Sequence, residues 1–354
     1  MEGDPRLAAY ARLLVERCID PRPGWQVLVQ TTSVARPLAE QLSRLLAERG
    51  AYALTRITFG APWPVDLDWI EAAPRELAAT LPPLEQELVD RVDASIFVLA
   101  PEPGRQPPTA EGRRAMSAHV LAYRARGRRG DIPHVRCDVP CEAFAQAAGL
   151  ELAAYEDVFY DACLRDWDAE GERMRPVLER FDGGNEVRIV GEDTDFRLSL
   201  AGRRGAIDDG HLNVPGGEVF YSPVEDSAEG EILFDVPGVG FEGVRLVFRG
   251  GEVVEASATV GQDRVDGSLA TDEGARRLGE FGIGCNEGIT RPMRNVLFDE
   301  KMAGTIHLAL GDGFPQLGGQ NRSGLHWDLV KDLRCPGGEL WLDGELVQRD
   351  GVWL

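Results

Sequence analysis

The sequence predicts an α/β domain with a parallel sheet, followed by a β-rich α+β domain. Strand and helix patterns alternate over the first half of the chain, whereas strand patterns dominate after the glycine-containing turn at 181–184. The length of 354 residues fits two domains of ordinary size. We therefore place an α/β scaffold domain at residues 1–182 and a β-rich α+β domain at 183–354.

The first domain is predicted from its strand–helix–strand order. The short apolar run at 27–30 indicates a strand, and leucines at helical spacing predict a helix over 35–49. The nearly continuous apolar run at 94–100 is typical of a central strand that is buried on both faces. This order implies a parallel sheet with right-handed crossovers. The other elements are a strand at 52–59 and helices at 110–127 and 151–180.

Strand patterns follow one another through the second domain. The predicted strands lie at 187–191, 195–200, 218–221, 230–235, 244–249, 253–258, 304–310 and 325–330. A helical insert is predicted at 263–281. A closing hairpin at 340–353 turns at Asp343-Gly344.

The strand order of the first domain is that of nucleotide-binding sheets, but the residues such a site needs are missing. A dinucleotide site requires glycines after the first strand, where this chain has Thr31-Thr32-Ser33-Val34. No Walker A sequence follows any predicted strand. We interpret this sheet as a scaffold or as one wall of a cleft.

The charge of the chain excludes two classes of partner. It carries 59 acidic and 38 basic residues, a formal net charge of −21. Affinity for nucleic acid and for anionic lipid depends on Lys and Arg, so we expect neither nucleic acid nor membrane as a partner. Among the 38 basic residues, only Lys301 and Lys331 are lysines.

The sequence predicts a cytoplasmic protein with reduced thiols. No stretch approaches the roughly 18 apolar residues that span a bilayer. The acidic N-terminus leads into an amphipathic helix rather than into the apolar core of a signal peptide. The six cysteines are scattered, and the Cys137-x-x-x-Cys141 spacing fits neither a zinc knuckle nor a redox pair.

Three residues near the C-terminus could form a metal site. In the segment 325–329, alternation places His326 and Asp328 on one face of a strand and the apolar residues on the other. The same alternation over 305–310 points His307 away from the apolar face. A histidine and a carboxylate on one strand face can share a metal ion or form an oriented hydrogen-bonded pair. The alternative is that both histidines face water.

Two glutamates join these candidates. Glu218 begins a strand directly after a Pro-Gly-Gly turn, a position that brings a side chain to a domain rim. Glu280 ends the predicted helical stretch 272–281. The pattern alone also fits exposed glutamates at both places. Neither a G-x-S-x-G nucleophile turn nor an H-E-x-x-H helix is present.

Ordered sequence segments between 190 and 335 identify a family. They are TDFRLSLAGR (194–203), PGGEVF (215–220), SPVEDS (222–227), LGEFGIG (278–284), FDEK (298–301), GTIHLALG (304–311), NRS (321–323) and HWD (326–328). Together they resemble the dinuclear metallo-aminopeptidase family of aminopeptidase T and aminopeptidase S, which are thermophilic metalloproteases. The first half of the chain is similar to that family only in general architecture.

The resemblance implies a complete metal site and makes the domain at 183–354 the catalytic, metal-binding one. The family holds two metals with two glutamates, two histidines and an aspartate, which correspond here to Glu218, Glu280, His307, His326 and Asp328. It implies two divalent ions (Zn, Co, Mn or Mg) and release of N-terminal amino acids from small peptides through a metal-activated water. Glu218 or Glu280 would carry the proton to the leaving amine. The resemblance also implies a homodimer that encloses the site.

One residue departs from the family pattern. The family has a tyrosine seven residues after the first histidine, where this chain has Phe314. A phenyl ring neither binds a metal nor donates a hydrogen bond to an oxyanion. Tyr221 is a nearby candidate to supply the missing hydroxyl. The segment between His307 and His326 is also shorter than in the best-known members, and we leave Phe314 out of the predicted catalytic set.

Two other functions stay open at this stage. A mononuclear iron, ring-cleaving dioxygenase, distantly related in fold, would need the triad of His307, His326 and Asp328, and would tolerate Phe314. A non-catalytic binding protein could also keep the fold. Metal content separates the three: one iron per chain, two other divalent ions, or no tightly bound metal.

Overall fold

The computed structural model describes residues 4–60, 65–104, 109–128 and 130–354. The chain divides into two compact units. The first runs to Leu164 and includes 210–214, and the second comprises 165–209 and 215–354. The first unit therefore ends before residue 182, where we predicted the domain boundary. The predicted boundary concerns where an independently folding domain ends, and it stays a prediction.

The first unit contains a parallel five-stranded sheet. Its strands are β1 (Gln26–Thr32), β2 (Tyr52–Thr58), β3 (Ala94–Leu99), β4 (His134–Asp138) and β8 (Asn213–Val214), in the order β2-β1-β3-β4-β8. Strand β3 pairs with β1 on one side and β4 on the other. This confirms the central strand that the apolar run predicted.

Eight helices of the described residues belong to this unit. They are α1 (Pro5–Arg12), α2 (Arg36–Glu48), α3 (Leu67–Ala72), α4 (Arg75–Ala78), α5 (Pro83–Arg91), α6 (Ala110–Arg128), α7 (Glu142–Ala148) and α8 (Leu152–Cys163). Helix α1 starts with Pro5 behind Asp4, whose carboxylate accepts a hydrogen bond from the Arg6 N–H. Among the described residues, no helix is long and apolar enough to cross a membrane.

The second unit contains two sheets whose strand pairs are all antiparallel. The larger sheet has the order β12-β11-β10-β6-β5-β16-β17-β18. Its strands are β5 (Glu186–Gly191), β6 (Thr194–Ser199), β10 (Glu229–Phe234), β11 (Val244–Arg249), β12 (Glu252–Ser257), β16 (Glu339–Leu342), β17 (Glu345–Arg349) and β18 (Val352–Trp353). With the parallel sheet of the first unit, this confirms a mixed α/β protein.

The smaller sheet, which we call the site sheet, has the order β15-β14-β13-β9-β7. Its strands are β7 (Gly205–Asp208), β9 (Glu218–Tyr221), β13 (Leu278–Gly284), β14 (Thr305–Gly311) and β15 (His326–Asp332). The helices of this unit are α9 (Trp167–Phe181), α10 (Gln262–Leu269) and α11 (Val296–Asp299).

One face of the site sheet is covered by the core of the unit. Phe281, Ile283 and Leu308 point into a buried apolar cluster that also contains Phe196 and Phe248 of the larger sheet. Because side chains alternate along a strand, the polar residues between these positions lie on the opposite face.

The predicted helical insert at 263–281 is wrong in its second half. Helix α10 ends at Leu269, a short turn occupies Glu273–Arg276, and residues 278–284 form strand β13. Glu280 therefore lies within a strand rather than at the end of a helix. Three glycines in this segment disfavour a helix, and pairing with β9 and β14 buries every residue of the strand.

Candidate metal centre

The five candidate ligands lie on four adjacent strands of the site sheet. Strand β13 pairs with β9 and β14, and β14 pairs with β15. A register shift after Leu278 turns that residue to the core and Glu280 to the opposite face, as β-bulges commonly do. The residues that this arrangement brings together are Glu218, Glu280, His307, His326 and Asp328.

Glu218, Glu280 and His307 form what we call the inner group. Their three ligand atoms lie within 4.8 Å of one another, and all three side chains are buried. His307 Nε2 lies 3.3 Å from Glu218 Oε2 and 3.5 Å from Glu280 Oε1.

Glu280, His326 and Asp328 form the outer group. His326 Nε2 lies 3.2 Å from Glu280 Oε2 and 3.6 Å from Asp328 Oδ1. Glu280 therefore belongs to both groups and turns one oxygen toward each. The His326 side chain is 24% exposed whereas that of His307 is 1% exposed, so the centre opens to solvent on the outer side.

Backbone carbonyls orient both imidazoles in the same way. His307 Nδ1 lies 2.9 Å from the Glu300 carbonyl oxygen, and His326 Nδ1 lies 2.9 Å from the Asp312 carbonyl oxygen. A carbonyl oxygen only accepts, so each Nδ1 donates a hydrogen bond and each Nε2 faces the carboxylates. This is the arrangement of histidines that bind metals through Nε2.

Gly282 gives the His307 ring its space. The two residues are directly opposite each other on β13 and β14. A Cβ atom at position 282 would lie 1.9 Å from His307 Cε1 and 2.2 Å from Nε2. Glycine in a strand often marks such a close approach, and this was the available sequence signal for a residue that the sequence analysis missed.

The inner group attracts positive charge. Burial raises the pKa of Glu218 to about 8, although the charge of Lys301 acts in the opposite direction. Burial alone would lower the pKa of His307, but its hydrogen bond with Glu280 and the surrounding carboxylates raise it to about 10. Burial likewise opposes ionisation of Glu280, yet hydrogen bonds from both histidines hold its pKa well below its usual range. A divalent cation would compete with protons for this place.

Comparisons with known proteins identify the family of the chain. The sequence profile of the family described as thermophilic metalloprotease (M29) matches residues 3–353. The chain belongs to the M29 metalloprotease family. Aminopeptidase PepS of Streptococcus thermophilus is 30% identical over 98% of both chains. Aminopeptidase 2 of Geobacillus stearothermophilus is 26% identical over 88% of this chain and 84% of its own length.

A solved structure matches nearly the whole chain. AmpT from Thermus thermophilus superimposes with a TM-score of 0.80 at 22% identity and covers 99% of each chain, which shows the common fold. The dioxygenase alternative finds no support among these matches. Its triad would also have to take His307 and His326 from different groups, between which Glu280 lies.

The donor set fits the metal that the M29 family implies. Glu218 Oε2 is buried and makes no hydrogen bond to any residue that the structure describes. Although this oxygen lies 3.3 Å from His307 Nε2, the two atoms are not aligned for a hydrogen bond. Carboxylate oxygens and imidazole nitrogens together are ordinary ligands of zinc, cobalt and manganese.

Phe314 lies beside the outer group. Its ring packs edge-on against His326, with centroids 5.7 Å apart, and is tilted against the ring of Phe220, with centroids 5.2 Å apart. Its backbone N–H donates to Ser222 Oγ at 2.8 Å. The centre thus brings its carboxylates and imidazoles together without a ligand atom from position 314.

Tyr221 is the wrong candidate for the missing hydroxyl. Along β9 it alternates with Glu218 and Phe220, and it lies in the buried core cluster on the other face of the sheet. Its hydroxyl donates to the Leu178 carbonyl oxygen at 3.1 Å. It is therefore turned away from the candidate ligands.

A buried lysine supports the inner group. Lys301 is fully buried, and its Nζ lies 3.0 Å from Glu218 Oε1, 4.0 Å from Asp208 Oδ2 and in contact with the Glu300 carboxylate. Burial would lower the pKa of Lys301, but the charges of these carboxylates raise it well above its usual value. Glu300 and Asp208 were missed by sequence reasoning, and no local pattern marks Asp208.

Proposed function

We propose that this M29 chain is a metal-dependent aminopeptidase whose two divalent cations are held by Glu218, Glu280, His307, His326 and Asp328. The observation that carries the proposal is the position of Glu280, whose two oxygens face two separate carboxylate–imidazole groups. Such sharing suits two cations, because Glu280 could offer one oxygen to each group. Zinc, cobalt, manganese and magnesium all accept such ligands.

Charge supports two ions rather than one. Five buried or nearly buried carboxylates meet here, and Lys301 neutralises one of them. The four remaining negative charges equal the charge of two divalent cations, and a buried site of unbalanced charge is costly. The five carboxylates are those of Asp208, Glu218, Glu280, Glu300 and Asp328.

The chemistry of the site follows from the placement of its residues. Two divalent cations, when bound, lower the pKa of a water and polarise a peptide carbonyl. Glu218 and Glu280 are buried beside that place and are the proposed carriers of the proton that the leaving amine takes. His326 and Asp328 lie on the open side, where a peptide N-terminus would enter.

The assay that tests this function is hydrolysis of aminoacyl anilides and short peptides. We expect release from leucyl anilide that stops with a chelator and returns when zinc, cobalt or manganese is added. The N-acetylated anilide serves as the control, because an exopeptidase requires a free amine. Metal-reconstituted protein that hydrolyses none of these substrates would contradict the proposal.

Two finer features also belong to the proposal. We propose a cytoplasmic location, from the composition of the chain, and a homodimer, from the family resemblance. Light scattering coupled to size-exclusion chromatography measures the second directly. A monomer at micromolar concentration would contradict it.

A further inference from the structure

We propose that Lys301 is a positioning residue that fixes one oxygen of Glu218, so that the other oxygen faces His307 as a metal ligand. This inference rests on the proposed function, since it concerns the same metal centre. It assigns a role to a buried cation that is itself unable to bind a metal while protonated.

The contacts of Glu218 differ between its two oxygens. Oε1 lies 3.0 Å from Lys301 Nζ, whereas Oε2 has no hydrogen bond from the described residues and lies on the His307 side. The carboxylate is therefore held through one atom and open at the other. Lys301 is in turn held by Asp208 on the neighbouring strand β7 and by the adjacent Glu300.

One short segment positions two ligands of the inner group. The Asp299 carboxylate accepts hydrogen bonds from the N–H groups of Met293 at 2.6 Å and Asn295 at 2.9 Å, which closes the turn around α11. The next residue, Glu300, accepts the Nδ1–H of His307 through its carbonyl oxygen. Lys301 follows and contacts Glu218, so His307 and Glu218 depend on consecutive residues.

The chemistry of lysine suits this position. An ammonium is a compact point charge with three donors, whereas a guanidinium is a planar fork that matches one carboxylate. Lys301 contacts three carboxylates that come from β7, β9 and the end of α11. Arginine provides nearly all other basic residues of the chain.

The second lysine offers a matched control. Lys331 is also buried, and its Nζ lies 2.6 Å from Asp235 Oδ2, but it contacts none of the candidate ligands in the ion pairs described. Lys331→Met therefore removes a buried, ion-paired lysine from the same unit of the protein. It reports the cost of that loss without a change at Glu218.

The test compares zinc affinity of the metal-free full-length protein and its variants, by competition with a chromophoric chelator. We expect Lys301→Gln and Lys301→Met to bind zinc about 10- to 100-fold more weakly, as when a supporting residue of a metal ligand is lost. Lys331→Met should lower the thermal midpoint but keep wild-type zinc affinity. If Lys301→Met fails to fold, Lys301→Gln, which keeps a side-chain donor, decides the result.

Wild-type zinc affinity in Lys301→Gln would overturn the inference, because the ammonium of Lys301 would then not be needed to hold Glu218 as a ligand. Measurements on the wild-type protein separate failure of this inference from failure of the proposed function. Wild-type protein that binds zinc but hydrolyses no aminoacyl anilide contradicts the function and leaves the affinity comparison valid. Wild-type protein that binds no divalent cation overturns both before any variant is measured.

Discussion

The inner and outer groups of the metal centre use the same kinds of residue in different surroundings. Glu218 and His307 are buried, and Lys301 holds one oxygen of Glu218. Backbone carbonyls hold the imidazoles of both groups, that of Glu300 for His307 and that of Asp312 for His326. His326 is partly exposed and packs against the ring of Phe314. The inner group is thus enclosed by the protein, whereas the outer group is partly open to solvent.

This difference predicts that changes on the two sides have different effects. Loss of an inner residue should weaken metal binding and the stability of the metal-free protein together. Loss of an outer residue should reduce turnover with a smaller effect on stability. The substitutions below test that contrast, from the largest expected effect to the smallest.

Glu280→Gln should have the largest effect because Glu280 belongs to both groups. An amide keeps the shape of the side chain but cannot neutralise cations or carry a proton. We expect kcat/KM for leucyl anilide to fall by at least about 1,000-fold, within the range attributed to a lost acid–base group. Glu170→Gln is the control, since Glu170 is also buried and pairs with Arg165. Substantial activity in Glu280→Gln would show that catalysis does not need the carboxylate that the two groups share.

The two histidines test the contrast itself. We expect His307→Ala to weaken binding of the first zinc ion strongly and to lower the free energy of unfolding of the metal-free protein, because a buried side chain is lost. We expect His326→Ala to lose activity while metal-free stability stays close to wild type. Zinc competition and urea unfolding measure both. Equal loss of stability in the two variants would mean that the inner group is no more structural than the outer one.

Gly282→Ala should disturb the inner group without changing any ligand. The added methyl group overlaps the His307 ring, so the imidazole must move away from Glu218 and Glu280. We expect zinc affinity to fall about 10- to 100-fold, as for other residues that orient a metal ligand. Gly267→Ala is the control, because a Cβ there meets no atom within 4 Å. Unchanged affinity in Gly282→Ala would show that the ring does not need this space.

Phe314→Leu should have the smallest effect and act on the outer side. The substitution keeps an apolar side chain but removes the ring that packs against His326 and Phe220. Such aromatic contacts contribute about 0.5–1.5 kcal/mol, so we expect a two- to tenfold fall in kcat/KM. Zinc affinity should stay within about threefold, since position 314 supplies no ligand atom. A large fall in zinc affinity would instead mean that Phe314 supports the ligands of the inner group.

Local patterns predicted part of the centre. Strand alternation placed His326 and Asp328 on one face and turned His307 from the apolar side, as the structure has them. Alternation could not place Glu280, because the segment is rich in glycine and a register shift at Gly279 turns the side chain. The pattern offered Glu280 only as the end of a predicted helix, and the family resemblance supplied its role as a ligand.

Contacts between distant segments could not be predicted at all. Lys301 meets Asp208 and Glu218 only because β7, β9 and the end of α11 pack together. No spacing along the chain reports such packing. The parallel sheet was easier to predict, because a long apolar run such as β3 is typical of a central strand that is buried on both faces.

The central claim is that the two groups hold two cations that share Glu280. Titration of metal-free protein with cobalt, followed by both bound metal per chain and hydrolysis of leucyl anilide, tests it most directly. The account predicts two ions per chain, with full activity only as the second one binds. Saturation of binding and activity at one ion per chain would contradict it.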